Sequence, residues 1–195
     1  IQPIILIGIH NREPQKIDSI FGGKNVDFRT AEMLGGKYLL SKEIDFQDSI
    51  QMKVISNRVP KFKDFIVNEI SNYVSNHYTV KEKSNWTLGG FSNGGFAVAV
   101  IGTEFPESFG YIISMSPAGG KENRSYDFDH SLIKGKFFIC AGIDEESFHQ
   151  RSLHLAKVLK ENKIDFEHKS YQAGHDYNMW LTYYMEKLCK IYKVK

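Results

Sequence analysis

The sequence has two cysteines, Cys140 and Cys189, in 195 residues. That is too few for a disulfide scaffold, and their spacing matches no metal-binding pattern. Both are read as free, buried thiols, because unpaired cysteine behaves as a small apolar residue. Charge of one sign is also missing. Lys and Arg number 25 and Asp and Glu 23, a formal charge of +2. Such balance excludes strong electrostatic capture of nucleic acid or of an anionic membrane. No apolar run approaches the ~20 residues of a membrane-spanning helix. No signal-peptide pattern occurs, and a chain that starts with Ile rather than Met leaves its compartment unassigned. Gly22-Gly23-Lys24 and Gly35-Gly36-Lys37 lack the Ser or Thr that follows the lysine of a phosphate loop. Asn85-Trp86-Thr87 and Asn123-Arg124-Ser125 match the glycosylation triplet, a pattern too common to carry weight.

What is present is an ordinary globular composition, 42% hydrophobic and 25% charged. Ile4 to Ile9 is a continuous apolar run, as expected of a strand buried on both faces of a parallel sheet. Pro60 to Tyr78 has apolar residues at helical spacing. Further along, strands are expected at Trp86–Gly90, Tyr111–Met115, Lys136–Ala141 and Ile164–Tyr171. Helices are expected at Gly94–Ile101, Phe148–Leu159 and Asp176–Tyr192. Alternating strands and helices predict an α/β fold, a mostly parallel sheet with helices on both faces. No linker divides the chain, so residues 1–195 are read as a single domain.

Gly90-Phe91-Ser92-Asn93-Gly94 fits G-x-S-x-G between an expected strand and an expected helix. That is the setting of a nucleophile elbow. A turn so tight forces the serine into a strained backbone, and Gly90 and Gly94 are read as letting neighbouring backbones approach. Ser92 is then lifted clear of the sheet, and the N–H of Asn93 becomes an oxyanion donor beside a helix N-terminus. A serine hydroxyl needs a base. In this setting the acid and then the histidine follow at the ends of later strands. Asp144 follows the Lys136–Ala141 strand, and His175 follows the Ile164–Tyr171 strand. Asp144 is favoured as the acid, with Glu145 and Glu146 beside it as alternatives. Among seven histidines, His10 is the rival to His175. Asp176 is read as the cap of the last helix.

These residues carry a family resemblance. Gly89 to Gly95, Phe105-Pro106-Glu107-Ser108-Phe109-Gly110, Ser114-Met115-Ser116-Pro117-Ala118 and Gly174-His175-Asp176-Tyr177 with Trp180 resemble the putative esterase family of α/β-hydrolases. That family includes esterase D, enterochelin-type siderophore esterases, feruloyl esterases and mycolyltransferases. Two positions depart from its pattern: Ala173 stands where glycine is frequent, and Asn93 where methionine is. The resemblance implies Ser92 as nucleophile, His175 as base and Asp144 as acid, without cofactor or metal. It implies a serine carboxylic-ester hydrolase acting through an acyl-enzyme on a small acyl ester, siderophore-type esters among them. Acyl transfer and a non-catalytic binding domain are the alternatives. Phe91 and Trp180 are candidates to line the substrate pocket, and residues 10 to 60 to form its rim. The run Ile4 to Ile9 resembles the second rather than the first strand of the family. The numbered sequence is therefore expected to begin inside the domain, short of N-terminal strands and of the second oxyanion donor. The rival reading makes Ile4–Ile9 the oxyanion strand, with the N–H of Asn11 or Arg12 as that donor.

Overall fold

The computed structural model describes residues 3–9, 28–34, 48–119 and 133–193. The Gly-Gly-Lys turns, His10, Asn11, Arg12 and the triplet at Asn123 lie wholly or partly outside them. The chain divides into two compact units, one of residues 5–79 and one of residues 1–4 with 80–195.

The larger unit is built on a four-stranded sheet in the order β1-β2-β3-β4. The strands are β1 (Thr87–Phe91), β2 (Tyr111–Met115), β3 (Lys136–Gly142) and β4 (Phe166–Tyr171). All three pairings are parallel. Alternation along the strands sorts their side chains between two faces. Ile113, Met115, Phe138 and Cys140 pack with Met179, Trp180, Tyr183 and Leu188 of helix α7 (Tyr177–Ile191). On the opposite face, Ser114 Oγ donates to Gly95 O at 2.8 Å, in helix α5 (Asn93–Glu104). Helix α6 (Glu146–Glu161) shares that side, where Ser152 Oγ meets His168 Nε2 at 3.0 Å. Helices cover both faces, so the central strands are apolar throughout, as expected of parallel sheets.

The expected elements of this unit appear with shifts of one to three residues at most ends. Asp176 caps α7, its carboxylate accepting from Met179 N–H at 3.0 Å. Cys140 is a buried core thiol, pushed above its ordinary pKa by burial and then by the charge of Glu145. Cys189 corrects the expectation of a second buried thiol: it is exposed on α7, whose inward face is taken by Lys187 and Leu188.

Residues 3–9 also correct the sequence reading. They lie in no strand, and Ile4 to Ile7 and Ile9 are exposed. An apolar run becomes a strand only where a neighbour takes its N–H and C=O groups, and no such hydrogen bond forms among the described residues.

The smaller unit holds α1 (Phe28–Leu34), α2 (Ser49–Ser56), α3 (Arg58–Asp64) and α4 (Ser71–His77). The helix expected at Pro60–Tyr78 is continuous in outline but contains a π-helical turn, Phe65–Ile70, between α3 and α4. The turn shifts the buried stripe, and Ser71 Oγ donates to Ile66 O at 3.3 Å. Arg58 Nη1 and Glu32 Oε1 pair at 2.7 Å and join α3 to α1.

β4 is an edge of the sheet and is laced to its neighbours by charge. Glu167 takes Lys190 at 2.6 Å and Lys136 at 3.2 Å, and Glu186 takes Lys169 and Lys187, both at 2.9 Å. For Glu167, burial opposes ionisation, but hydrogen bonds from Lys190 and Lys136 outweigh it and bring its pKa down to about 2. Hydrogen bonds from Lys187 and Lys169 bring Glu186 to about 2 as well. Depressed folded-state values mean stability present above the ordinary carboxylate range and lost as pH falls through it toward 2. We predict that urea-unfolding stability falls from about pH 5 to about pH 2. The decline should be visibly shallower in a Glu167→Gln/Glu186→Gln variant; equal slopes would remove this network as the cause.

Candidate active site

The sequence-predicted residues follow the C-terminal ends of the parallel strands, Ser92 after β1, Asp144 after β3 and His175 after β4. β1 runs into α5 with no loop, and Ser92 sits at the junction with φ 56° and ψ −121°. A positive φ at a residue with a side chain holds ~1–3 kcal/mol of strain and persists only where surroundings over-determine it. Here they do. Ser92 N–H donates to Met115 O at 2.9 Å, while Ser92 O accepts from Phe96 N–H at 3.2 Å and Ala118 N–H at 3.0 Å. Asn93 opens α5, so its N–H has no intrahelical acceptor and lies at the positive end of the helix.

The glycines divide differently from the sequence reading. A Cβ at Gly90 would lie 2.6 Å from Gly94 O. At Gly94 it would meet nothing within 4 Å, whereas at Gly95 it would lie 2.4 Å from Met115 O. The expectation for Gly94 is therefore corrected: its backbone is the close neighbour, and the residue that must lack a side chain is Gly95.

His175 follows β4, as expected, and its partner is not Asp144. His175 Nδ1 is hydrogen-bonded to Glu145 Oε2. Asp144 is exposed and accepts from Gln172 Nε2 at 2.9 and 3.1 Å. The cause is a tight turn after β3. Glu145 N–H reaches Gly142 O at 3.4 Å, which leaves Asp144 at the outer corner and returns Glu145 toward the strand end. Glu145 Oε1 there accepts Gly142 N–H at 2.6 Å and Ser116 O–H at 2.5 Å. The Glu145 side chain is 2% exposed and the His175 side chain 32%. Glu146, the other alternative, is exposed in the first turn of α6.

The ring of His175 is held from two directions. Phe148 of α6 lies 4.1 Å from it, tilted by 33°, and Trp180 of α7 stands edge-on at 4.6 Å and 87°. Trp180 also stacks on Phe91 at 4.4 Å, so one indole touches both His175 and the residue preceding Ser92. Trp180, a candidate to line the pocket, is itself only 4% exposed, and its Nε1–H donates to Ser116 Oγ at 2.8 Å. Phe91 is half-buried and meets the exposed Tyr177 edge-on at 5.3 Å. Of the other described histidines, His149 in the first turn of α6 meets Ser170 near the end of β4, and His168 of β4 meets Ser152 of α6.

Sequence reasoning favoured Asp144 over Glu145 as the carboxylate beside His175 and did not single out Ser116. The signal for Ser116 was its place before Pro117 at a strand end. A residue preceding proline normally takes an extended backbone, yet Ser116 has φ 44°.

The sequence profile of the putative esterase family matches residues 51–188. The chain belongs to that family. This member shares the α/β-hydrolase fold with solved esterases. An enterobactin esterase from Shigella flexneri matches at 19% identity and TM-score 0.58, covering 68% of this chain and 38% of its own. A ferulic acid esterase from Anaeromyces mucronatus matches at 20% identity and TM-score 0.57, over 67% of this chain and 53% of its own. A fluorophosphonate-binding serine hydrolase from Staphylococcus aureus matches at 16% identity and TM-score 0.55, over 67% and 63%. The chain thus spans about half the length of these structures or somewhat more or less. No curated protein matches it in sequence. No helix among the described residues of this esterase-family chain is long and apolar enough to cross a membrane.

The packing at the elbow gives a paired prediction. Gly95→Ala pushes a methyl into a backbone carbonyl and should destabilise by roughly 1–3 kcal/mol. Gly94→Ala meets open space on a helix and should be neutral or stabilising by up to ~1 kcal/mol. Thermal denaturation of the two variants checks the order; the reverse order would refute the packing described.

Proposed function

We propose that this chain is a single serine carboxylic-ester hydrolase domain with Ser92 as nucleophile, His175 as general base and Glu145 as the acid that orients it. The observation that carries the reading is the buried Glu145 carboxylate on His175 Nδ1, at the same strand-end edge as the strained Ser92 turn. With Nδ1 engaged, Nε2 is the ring atom available to a substrate-side proton. Ser92 Oγ attacks the ester carbonyl carbon and its proton passes to His175 Nε2. The oxyanion takes the N–H of Asn93. Collapse of the tetrahedral intermediate breaks the bond to the alcohol, which leaves with the proton from His175. Water then attacks the acyl-Ser92 ester by the same route and releases the acid.

The substrate class we carry to this chain is an ester with an aromatic acyl group. Support comes from structural neighbours that are enterobactin and ferulic acid esterases, and from the aromatic pair of Phe91, which precedes Ser92, and Tyr177, edge-on against it. Trp180 has its N–H on Ser116 and its faces on neighbours, so its part in the site is structural support of His175. The rim expected from residues 10 to 60 lies largely outside the described residues, and Asn11 and Arg12, the second oxyanion donors of the rival reading, lie wholly outside them.

Three substitutions test the assignment against a panel of p-nitrophenyl and feruloyl esters. Ser92→Ala should lower kcat by ~10³–10⁶ and abolish fluorophosphonate labelling. Glu145→Gln should lower kcat by ~10²–10⁴, while Asp144→Asn should stay within about threefold of wild type. A Ser92→Ala protein that keeps more than about a tenth of wild-type kcat would sink the nucleophile. A larger loss in Asp144→Asn than in Glu145→Gln would return the acid to Asp144.

A further inference from the structure

Four side chains close a ring at the end of the sheet: Trp180, Ser116, Glu145 and His175. Its proton order can be read from chemistry alone. An indole N–H donates and cannot accept. Trp180 Nε1 therefore donates to Ser116 Oγ, at 2.8 Å. The hydroxyl has one proton, and with an indole N–H aimed at its oxygen that proton is free to turn to the other neighbour, Glu145 Oε1 at 2.5 Å. Gly142 N–H, which also cannot accept, points at the same oxygen from 2.6 Å. Oε1 thus receives two donors, Ser116 O–H and Gly142 N–H. Oε2 is then an acceptor facing His175 Nδ1, so the ring's proton belongs on Nδ1 and the lone pair on Nε2.

We propose that Trp180 and Ser116 are positioning residues that set the tautomer of His175 through Glu145. The chain of hydrogen bonds runs one way because it starts at a group that can only donate. Water is kept from substituting for it: Ser116 is 0% and Trp180 4% exposed. The strained backbone of Ser116 follows from the same demand. Its N–H donates to Cys140 O at 2.7 Å, and φ 44° turns its hydroxyl to the space between the indole and the carboxylate. Trp180 contributes a second constraint, since the ring that supplies the N–H also stands edge-on against His175.

The proposal rests on the hydrolase reading for its catalytic consequence, but its physical content is the tautomer, which is measured without turnover. The test uses the full chain labelled with ¹⁵N and long-range ¹H–¹⁵N correlation of the His175 ring in alkaline buffer. Trp180→Phe keeps an aromatic ring and removes the donor. Ser116→Gly removes the hydroxyl and suits the left-handed backbone. Wild type should be in the Nδ1–H form, and both variants should gain the Nε2–H form. Both should lose ~10–100-fold in kcat with KM nearly unchanged. An Nε2–H ring in wild type, or an unchanged Nδ1–H ring in both variants, overturns the proposal. If one variant does not fold, the other decides it. If wild type neither hydrolyses any ester nor takes a fluorophosphonate label, the hydrolase reading falls, and the ring shifts still decide the tautomer claim.

Discussion

A buried carboxylate must find donors, and the one on Glu145 finds them on three different segments. Gly142 belongs to the end of β3, Ser116 follows β2 and His175 follows β4. Those donors converge only if the strands end together, and the in-register pairing of Met115 with Cys140 and of Gly142 with Tyr171 achieves this. Losing one donor would leave the charge under-satisfied inside the protein, a penalty of ~1–3 kcal/mol or more for a charged group. The same carboxylate thus ties the sheet's register to the orientation of His175.

Backbone strain is placed in the same region. Ser92 and Ser116 follow adjacent strands, and both have positive φ. Each donates its N–H to the last carbonyl region of the next strand, Met115 O for Ser92 and Cys140 O for Ser116. The ladder therefore continues one residue past each strand while the chain turns away. One device sets Ser92 at the start of α5. The other turns a hydroxyl inward at Ser116, into the hydrogen bonds around Glu145. Strain of ~1–3 kcal/mol per residue is tolerable because backbone and side-chain bonds fix both positions.

Much of this was legible in the sequence, for identifiable reasons. The buried strands announce themselves by continuous apolar runs, the elbow by glycine around a serine between a strand and a helix, and the Asp176 cap by its place before a helical pattern. His175 could be singled out because it alone follows a late strand in a glycine-containing loop. The acid could not be resolved, because Asp144 and Glu145 are adjacent and a single turn decides which carboxylate returns to the strand end. The bond between Trp180 and Ser116 was hidden for a related reason: the two meet across 64 positions of sequence, and no local pattern records a contact of that range. The choice between Gly94 and Gly95 depends on which Cα faces Met115 O. Ile4 to Ile9 shows the opposite failure, an apolar run with strand-like composition and no hydrogen-bonded neighbour among the described residues.

The central claim is that ester cleavage proceeds through a covalent bond to Ser92. The most direct measurement is acid quenching of the protein during turnover of a p-nitrophenyl ester, followed by mass spectrometry of its peptides. The account predicts one acyl group per chain on the peptide that contains Ser92, released on further incubation in water. Turnover without an adduct on that peptide, or an adduct on another residue, would contradict it.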